Sequence, residues 1–375
     1  MNVFRKIKRI SKKWHLVSLL LVLVTSAIVV IILVRSWGQF IPQRIIVASS
    51  IPMGTYEKVI QTIEQKIKVY NEELGFRLNL KEIRSNGSVE TLNQLERGQV
   101  DIGIVQGNSN ISRKSGGVVL ALYDEVYLLF TKRPESGLGA MLENEREKNG
   151  RIRIACLGPG SQTAIDAHVI LEYFGAASME YELVESTYPE ARERLLDDSV
   201  DAALFVTGLG QPIIRDIVDE PGVKILPLSD TPSIAKQFRG VEIFTLEQGV
   251  FEIGVPASPI QTLSTPAMLV ASNNVQKAVA SRLSKTLTAH RWEVEKELPF
   301  LNIHPPSEAF QSLLHPGVAI ESDLPSAGFF TVYSEHLKLC LAIPAALLAL
   351  FTFLNNFKKT AKPAVVRQYG EDGAF

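Results

Sequence analysis

Between Ser85 and Asn108 the chain reads SNGSVETLNQLERGQVDIGIVQGN, and this stretch leaves few folds open. Asn86-Gly87-Ser88 is a turn whose serine suits a helix N-cap, with Glu90 and Thr91 in the first turn. Val89, Leu92 and Leu95 recur at helical spacing. Arg97-Gly98 ends the helix, because glycine accepts the left-handed conformation that a helix stop requires. Val100 to Val105 is then a short apolar run with β-branched residues, bounded by Gln106-Gly107-Asn108. Such a run reads as a strand buried on both faces in an α/β sheet, where loops at strand ends and helix starts bind small molecules.

The same alternation runs through the chain. Arg44–Ser49 is a predicted strand, and Thr55 caps a predicted helix over Glu57–Leu74 with Val59, Ile60, Ile63, Ile67 and Tyr70 on one face. Arg77–Ile83, Val118–Tyr123 and Glu125–Thr131 are further strands, and the polar residues 133–150 read as a surface loop. A second series follows: strand Arg151–Leu157, loop Gly158–Thr163, helix Ala164–Phe174, strand Tyr181–Val184, helix Tyr188–Asp197, strand Val200–Val206, helix Gln211–Val218 and strand Val223–Pro227. Thr265–Ala271 and a helix from about Asn274 to Lys296 return the chain to its first half. Strands alternating with helices imply largely parallel sheets. The expectation is an α/β body of two lobes joined by crossing segments, with a hinge and a cleft between them. The first lobe takes residues 44–131 and 265–330, the second 132–264.

Both ends differ from this body. Leu16 to Val34 carries no charge and follows Arg5, Lys6, Lys8, Arg9, Lys12 and Lys13, so 16–35 is long enough to span a bilayer and 1–15 is a cytoplasmic basic segment. A cleaved signal peptide is the alternative, although no A-x-A site follows. Leu339 to Leu354 is a second apolar run, ending at Lys358, Lys359 and Lys362. A span over 338–356 and a cytoplasmic tail over 357–375 put both basic flanks on one side. A buried core helix is the alternative, since the run is short and contains Pro344. The acidic body then lies on the extracytoplasmic side, with the lipid bilayer as a partner. Its acidity, without any basic–aromatic stripe, argues against nucleic acid.

Catalytic chemistry has no foothold. The six histidines share no metal-type spacing, and G-x-S-x-G, G-x-x-x-x-G-K-[ST] and H-E-x-x-H are all absent. No metal, cofactor or enzymatic activity is implied. What remains is a set of helix-starting loops. Gly158–Thr163 is the best of them, because its glycines allow close backbone approach while Ser161 and Thr163 add hydroxyls beside free N–H groups. That suits a carboxylate, although an ordinary N-cap has the same composition. Gln106 and Asn108 after one buried strand, and Thr207-Gly208 after the other, hold equivalent positions in the two halves.

In this ordered set the chain resembles the TAXI-type solute receptors of TRAP transporters, a branch of the periplasmic binding protein superfamily. The resembling parts are Ser50–Tyr56, Ser88–Gln106, Gly158–Thr163 with its helix, Ser199–Gly208 followed by Pro212, and His315-Pro316-Gly317, over about residues 44–320. The resemblance implies a periplasmic binding protein-like receptor that closes on a small organic acid or an amino acid such as glutamate. It implies ligand contacts from Thr55, Tyr56, Asn86, Gly87, Ser88 and Gln106 in one lobe and from Ser161, Gln162, Thr163 and Thr207 in the other. It further implies delivery to a TRAP transporter membrane subunit, with the protein in the inner membrane and its body on the periplasmic side. The second apolar segment and the basic tail depart from a family usually secreted or lipid-anchored. They leave open a membrane-tethered ligand sensor or adaptor without a transport role.

Overall fold

From Gly117 the sequence runs GVVLALYDEVYLLFT, apolar on both alternations except for its centre. In the computed structural model this is one strand of fifteen residues, about 50 Å long at the usual rise per residue. The structure describes residues 24–26, 43–49, 54–74, 78–158, 160–252 and 254–319. The segments read as 1–15, 16–35, 338–356 and 357–375 lie outside these apart from residues 24–26, which are helical. Among the described residues no helix is long and apolar enough to cross a membrane.

Among the described residues ten strands form one sheet. In chain order the elements are β1 (Gln43–Ala48), α1 (Thr55–Leu74), β2 (Leu78–Ile83), α2 (Ser88–Glu96), β3 (Ile102–Gln106), β4 (Gly117–Thr131), α3 (Leu138–Glu147), β5 (Ile152–Cys156), α4 (Gln162–Tyr173), β6 (Tyr181–Glu185), α5 (Tyr188–Leu196) and β7 (Ala202–Thr207). Then come α6 (Pro212–Val218), β8 (Lys224–Leu226), α7 (Thr231–Ala235), β9 (Glu242–Leu246), β10 (Ile260–Ala271), α8 (Lys277–Ala289) and α9 (Arg291–Glu297). The strand order is β2-β1-β3-β10-β4-β7-β5-β6, with β8 beside β4 and β9 beside β10. β1 pairs parallel with β2 and β3, and β5 pairs parallel with β6 and β7. The sheet as a whole is mixed rather than largely parallel, because β4 and β10 run antiparallel to each other and to their outer neighbours. Among the described strands, these two alone are long enough to serve both halves: Ala267–Ala271 pairs with β3, while Val126–Phe130 pairs with β7.

Each half of the sheet is covered on both faces, which is why its inner strands β3 and β7 are buried along their whole length. Val59, Ile60, Ile63 and Ile67 of α1 and Val279, Leu283 and Leu287 of α8 pack on Ile104, Leu120 and Leu269. On the opposite face Leu92 and Leu95 of α2 meet Val105, Val118, Met268 and Phe310. In the second half, Tyr127 and Leu129 face α4, while Val126, Leu128 and Phe130 face α5 and α6. Along β10, Ala267, Leu269 and Ala271 enter one core and Met268 and Val270 the other, while the β4–β10 pairing shifts register at Ala267/Met268 and at Leu269/Val270.

Four local expectations are corrected. Residues 133–150 hold a helix, α3, because Leu138, Met141 and Leu142 bury one stripe while Arg133 pairs with Glu135 and Glu145 at 2.7 Å each. The Arg133 guanidinium pulls the Glu135 carboxyl down to about 2. The helix read over 274–296 breaks at His290 into α8 and α9. Val118–Tyr123 and Glu125–Thr131 are one strand. Ser88 does not cap α2: Gly87 holds that place at φ +133°, and the Ser88 hydroxyl accepts a hydrogen bond from Gln106 N at 3.0 Å instead.

Candidate functional site

Four helices begin at one place. Thr55 and Tyr56 open α1, Ser88 opens α2, Gln162 and Thr163 open α4, and Tyr188 opens α5; all line one cavity of about 50 Å³. Its remaining walls come from Gly54, Asn86, Gly87, Gln106, Glu125, Leu157, Ser161 and Val206. Each strand-to-helix loop turns at the same end of its half-sheet, so the topology brings the helix N-termini together. Their partial positive charges then add at the cavity.

The two halves touch around it. Val89 N donates to Gly160 O at 3.0 Å, and Gly87 lies so close that a Cβ there would stand 2.9 Å from Gly160 O and from Ser161 Cα. The Thr55 and Thr207 hydroxyls share a hydrogen bond of 3.2 Å, and Gln106 Nε2 reaches Val206 O at 3.4 Å. Further out, Asn108 Nδ2 donates to both Asp166 carboxyl oxygens at 2.8 Å. Tyr127 OH and Gln162 Nε2 complete that carboxyl's shell at 2.7 and 3.0 Å. Burial pushes Asp166 up to about 6 despite these donors.

Several wall groups have no protein partner. Gln106 Oε1 and Thr163 Oγ1 are buried and unbonded. Buried polar atoms without partners are costly, and a ligand is one way to satisfy them. Ser161 accepts from Thr163 N at 3.1 Å, capping α4. Thr187 and Glu190 form a capping box on α5. Replacing Thr187 by alanine is expected to lower stability by about 1 kcal/mol in a chemical denaturation midpoint. No loss would mean that the capping box does not hold the start of α5.

Nine of the ten residues singled out from sequence line the cavity: Thr55, Tyr56, Asn86, Gly87, Ser88, Gln106, Ser161, Gln162 and Thr163. Thr207 sits behind the wall on Thr55. Sequence reasoning missed Glu125, which is 3% exposed in the centre of β4 and accepts from Tyr56 OH at 2.8 Å. Burial pushes its carboxyl up to about 8, against the hydrogen bond from Tyr56. It also missed Tyr188, whose ring wall is set by α5. The signal for Glu125 was present, a lone acid on the buried alternation of an otherwise apolar strand whose neighbour Asp124 is exposed.

The sequence profile of the NMT1-like family matches residues 53–309. Among solved structures, MatC from Rhodopseudomonas palustris with bound malate is similar at 15% identity and a TM-score of 0.47, covering 74% of this chain and 94% of that one. The periplasmic binding protein BugD is similar at 16% identity and TM-score 0.44, covering 70% and 89%. The periplasmic aliphatic sulphonate binding protein SsuA from Escherichia coli is similar at 12% identity and TM-score 0.40, covering 72% and 84%.

Proposed function

The chain belongs to the NMT1-like family, and on that footing we propose that it is an extracytoplasmic solute receptor that captures a small organic acid or amino acid between two lobes. One observation carries this reading: four helix N-termini and two unpartnered polar side chains converge on one cavity at the contact between the halves of the sheet. β4 and β10 act as the hinge, since among the described strands they alone run through both halves. Binding favours the closed arrangement because only there do both lobes reach the ligand. The first lobe comprises residues 44–131 and 265–330 and the second 132–264, the hinge strands crossing the boundary.

The apolar runs at 16–35 and 338–356 tether the body to the inner membrane, on its periplasmic side, and the receptor hands its solute to a TRAP-type membrane subunit. That part of the reading is supported by the sequence pattern, its basic flanks and the TAXI resemblance. A tether raises the local concentration of receptor at its transporter.

The ligand-binding residues are those the resemblance implies, with Thr207 acting through Thr55. Replacing Ser161 and Thr163 together by alanine in the full-length chain is expected to weaken the best ligand at least about tenfold by calorimetry. The lost cap costs about 1 kcal/mol and leaves the protein folded. Unchanged affinity in a folded double variant removes these residues from the site.

A further inference from the structure

Glu125 sits where β4 passes from one half of the sheet to the other. Its neighbour across the ladder is Thr265, and the next residue, Val126, is the first of β4 to pair with β7. The side chain is 3% exposed, lines the cavity and accepts a hydrogen bond from Tyr56 OH at 2.8 Å. The groups facing it come from both halves. Tyr56 of α1, Gln106 of β3 and Tyr123 of its own strand stand on one side, and Tyr188 of α5 and Asp166 of α4 on the other. The one charged group among them is Asp166, another acid. Among the described residues no lysine or arginine lines the cavity.

A carboxyl enclosed in this way keeps its proton, because ionisation there finds hydrogen-bond donors but no counter-charge. Burial holds it up at about 8, and Asp166 adds to the rise. The enclosure depends on contact between the halves. Val89 N donates to Gly160 O at 3.0 Å, Gln106 Nε2 donates to Val206 O at 3.4 Å, and the Thr55 and Thr207 hydroxyls meet at 3.2 Å. When these contacts part, Tyr188 and Asp166 leave with the second half. Water then reaches the carboxyl from the side they covered, and it returns toward its ordinary 4.5.

Resting on the solute-receptor reading, whose two lobes open and close, we infer that closure of the cleft takes up a proton at Glu125: the closed form carries it, and the open form gives it up at neutral pH. Between the open and the enclosed values the closed form binds more protons, so the ratio of closed to open rises as pH falls. Acid holds the cleft shut and alkali frees it. Affinity for the solute follows, because only the closed arrangement reaches it from both lobes. Asp166, raised to about 6, is mostly ionised above pH 6.5, which leaves the range from 6.5 to 7.5 to Glu125.

Hydrogen exchange in the full-length chain tests this without a ligand. The Val89 amide is protected by a carbonyl of the other half, so its protection factor measures the ratio of closed to open wherever reclosing outruns exchange. Amides of β3, which is buried along its length, report global unfolding. Val89 is expected to be less protected than β3. Its protection is expected to fall about eightfold from pH 6.5 to 7.5, after correction for the intrinsic rate, and less than about twofold in Glu125→Gln. Asp166→Asn is expected to keep a fall of at least about fourfold, and its absence there overturns the assignment to Glu125 even where the glutamine variant does not fold. Val89 protection below that of β3 but independent of pH overturns the inference and leaves the receptor reading standing. So does an equally steep fall in a folded Glu125→Gln chain. Val89 exchange that matches β3 at every pH means that the halves do not part, and contradicts the two-lobed reading and the inference with it.

Discussion

Gly87→Ala is expected to weaken ligand binding at least about a hundredfold, or about 2.8 kcal/mol, in a chain that still folds. The reason is contact geometry. A Cβ at Gly87 would stand 2.9 Å from Gly160 O and 2.9 Å from Ser161 Cα, and both are backbone atoms that cannot swing aside. The same two segments share the Val89 N to Gly160 O hydrogen bond, so a methyl group at Gly87 holds the halves apart where they must meet. A lobe that cannot close contributes little to holding the solute, and affinity falls by that lobe's whole share. Gly87 also has φ +133°, which strains any other residue by about 1–3 kcal/mol. Gly98→Ala separates the two effects. It sits at φ +66°, closes α2 away from the cleft, and has only Asn274 Nδ2 near, at 3.4 Å. Gly98→Ala is expected to lose stability and keep its affinity. Equal affinity losses in the two variants, or none at Gly87, would remove the closing contact from the account.

The second large effect is on stability. A carboxyl whose value rises from 4.5 unfolded to about 8 folded keeps its proton in the native state while the unfolded chain has already released it. Between those values the unfolded state binds fewer protons, so stability falls as pH rises. By pH 8 the cost at Glu125 is on the order of 4 kcal/mol. Asp166, raised to about 6, adds a smaller loss at lower pH. Glu125→Gln preserves shape and removes the titration. The melting temperature of the ligand-free variant is therefore expected to match the wild type at pH 5 and exceed it by several degrees at pH 8.5. A difference that stays constant across that range would mean that Glu125 ionises freely, and its burial would need another explanation.

The contrast between Gly158–Thr163 and Glu125 explains what the sequence could reveal. Local rules govern a loop: two glycines, a serine cap and a helix start can be read without knowing the neighbours. Gln106 and Ser161 were accessible for that reason, and the strand-helix alternation put them at one end of each half, whereas Thr55 and Ser88 came to the site through the family resemblance. Glu125 obeys no local rule. Asp124-Glu125 reads as a break in an apolar run, so the hinge strand looked like two strands. Only the pairing of Glu125 with Thr265 on β10 reveals a continuous strand crossing both halves, with its acid turned into the cleft. The mixed sheet was hidden for the same reason, since antiparallel crossing is decided by long-range register. Helix α3 was obscured differently: its apolar stripe is only Leu138, Met141 and Leu142, and its anchor is an arginine that reads as surface charge.

The account stands most directly on whether a small solute binds this chain at all. A thermal-shift series on the full-length chain, with organic acids and amino acids at a hundred times the dissociation constant of a true ligand, should stabilise it by about 2.7 kcal/mol for one chemical class. The account predicts such a shift, and its loss in Gly87→Ala. A folded chain that shows no shift with any compound of either class would contradict it.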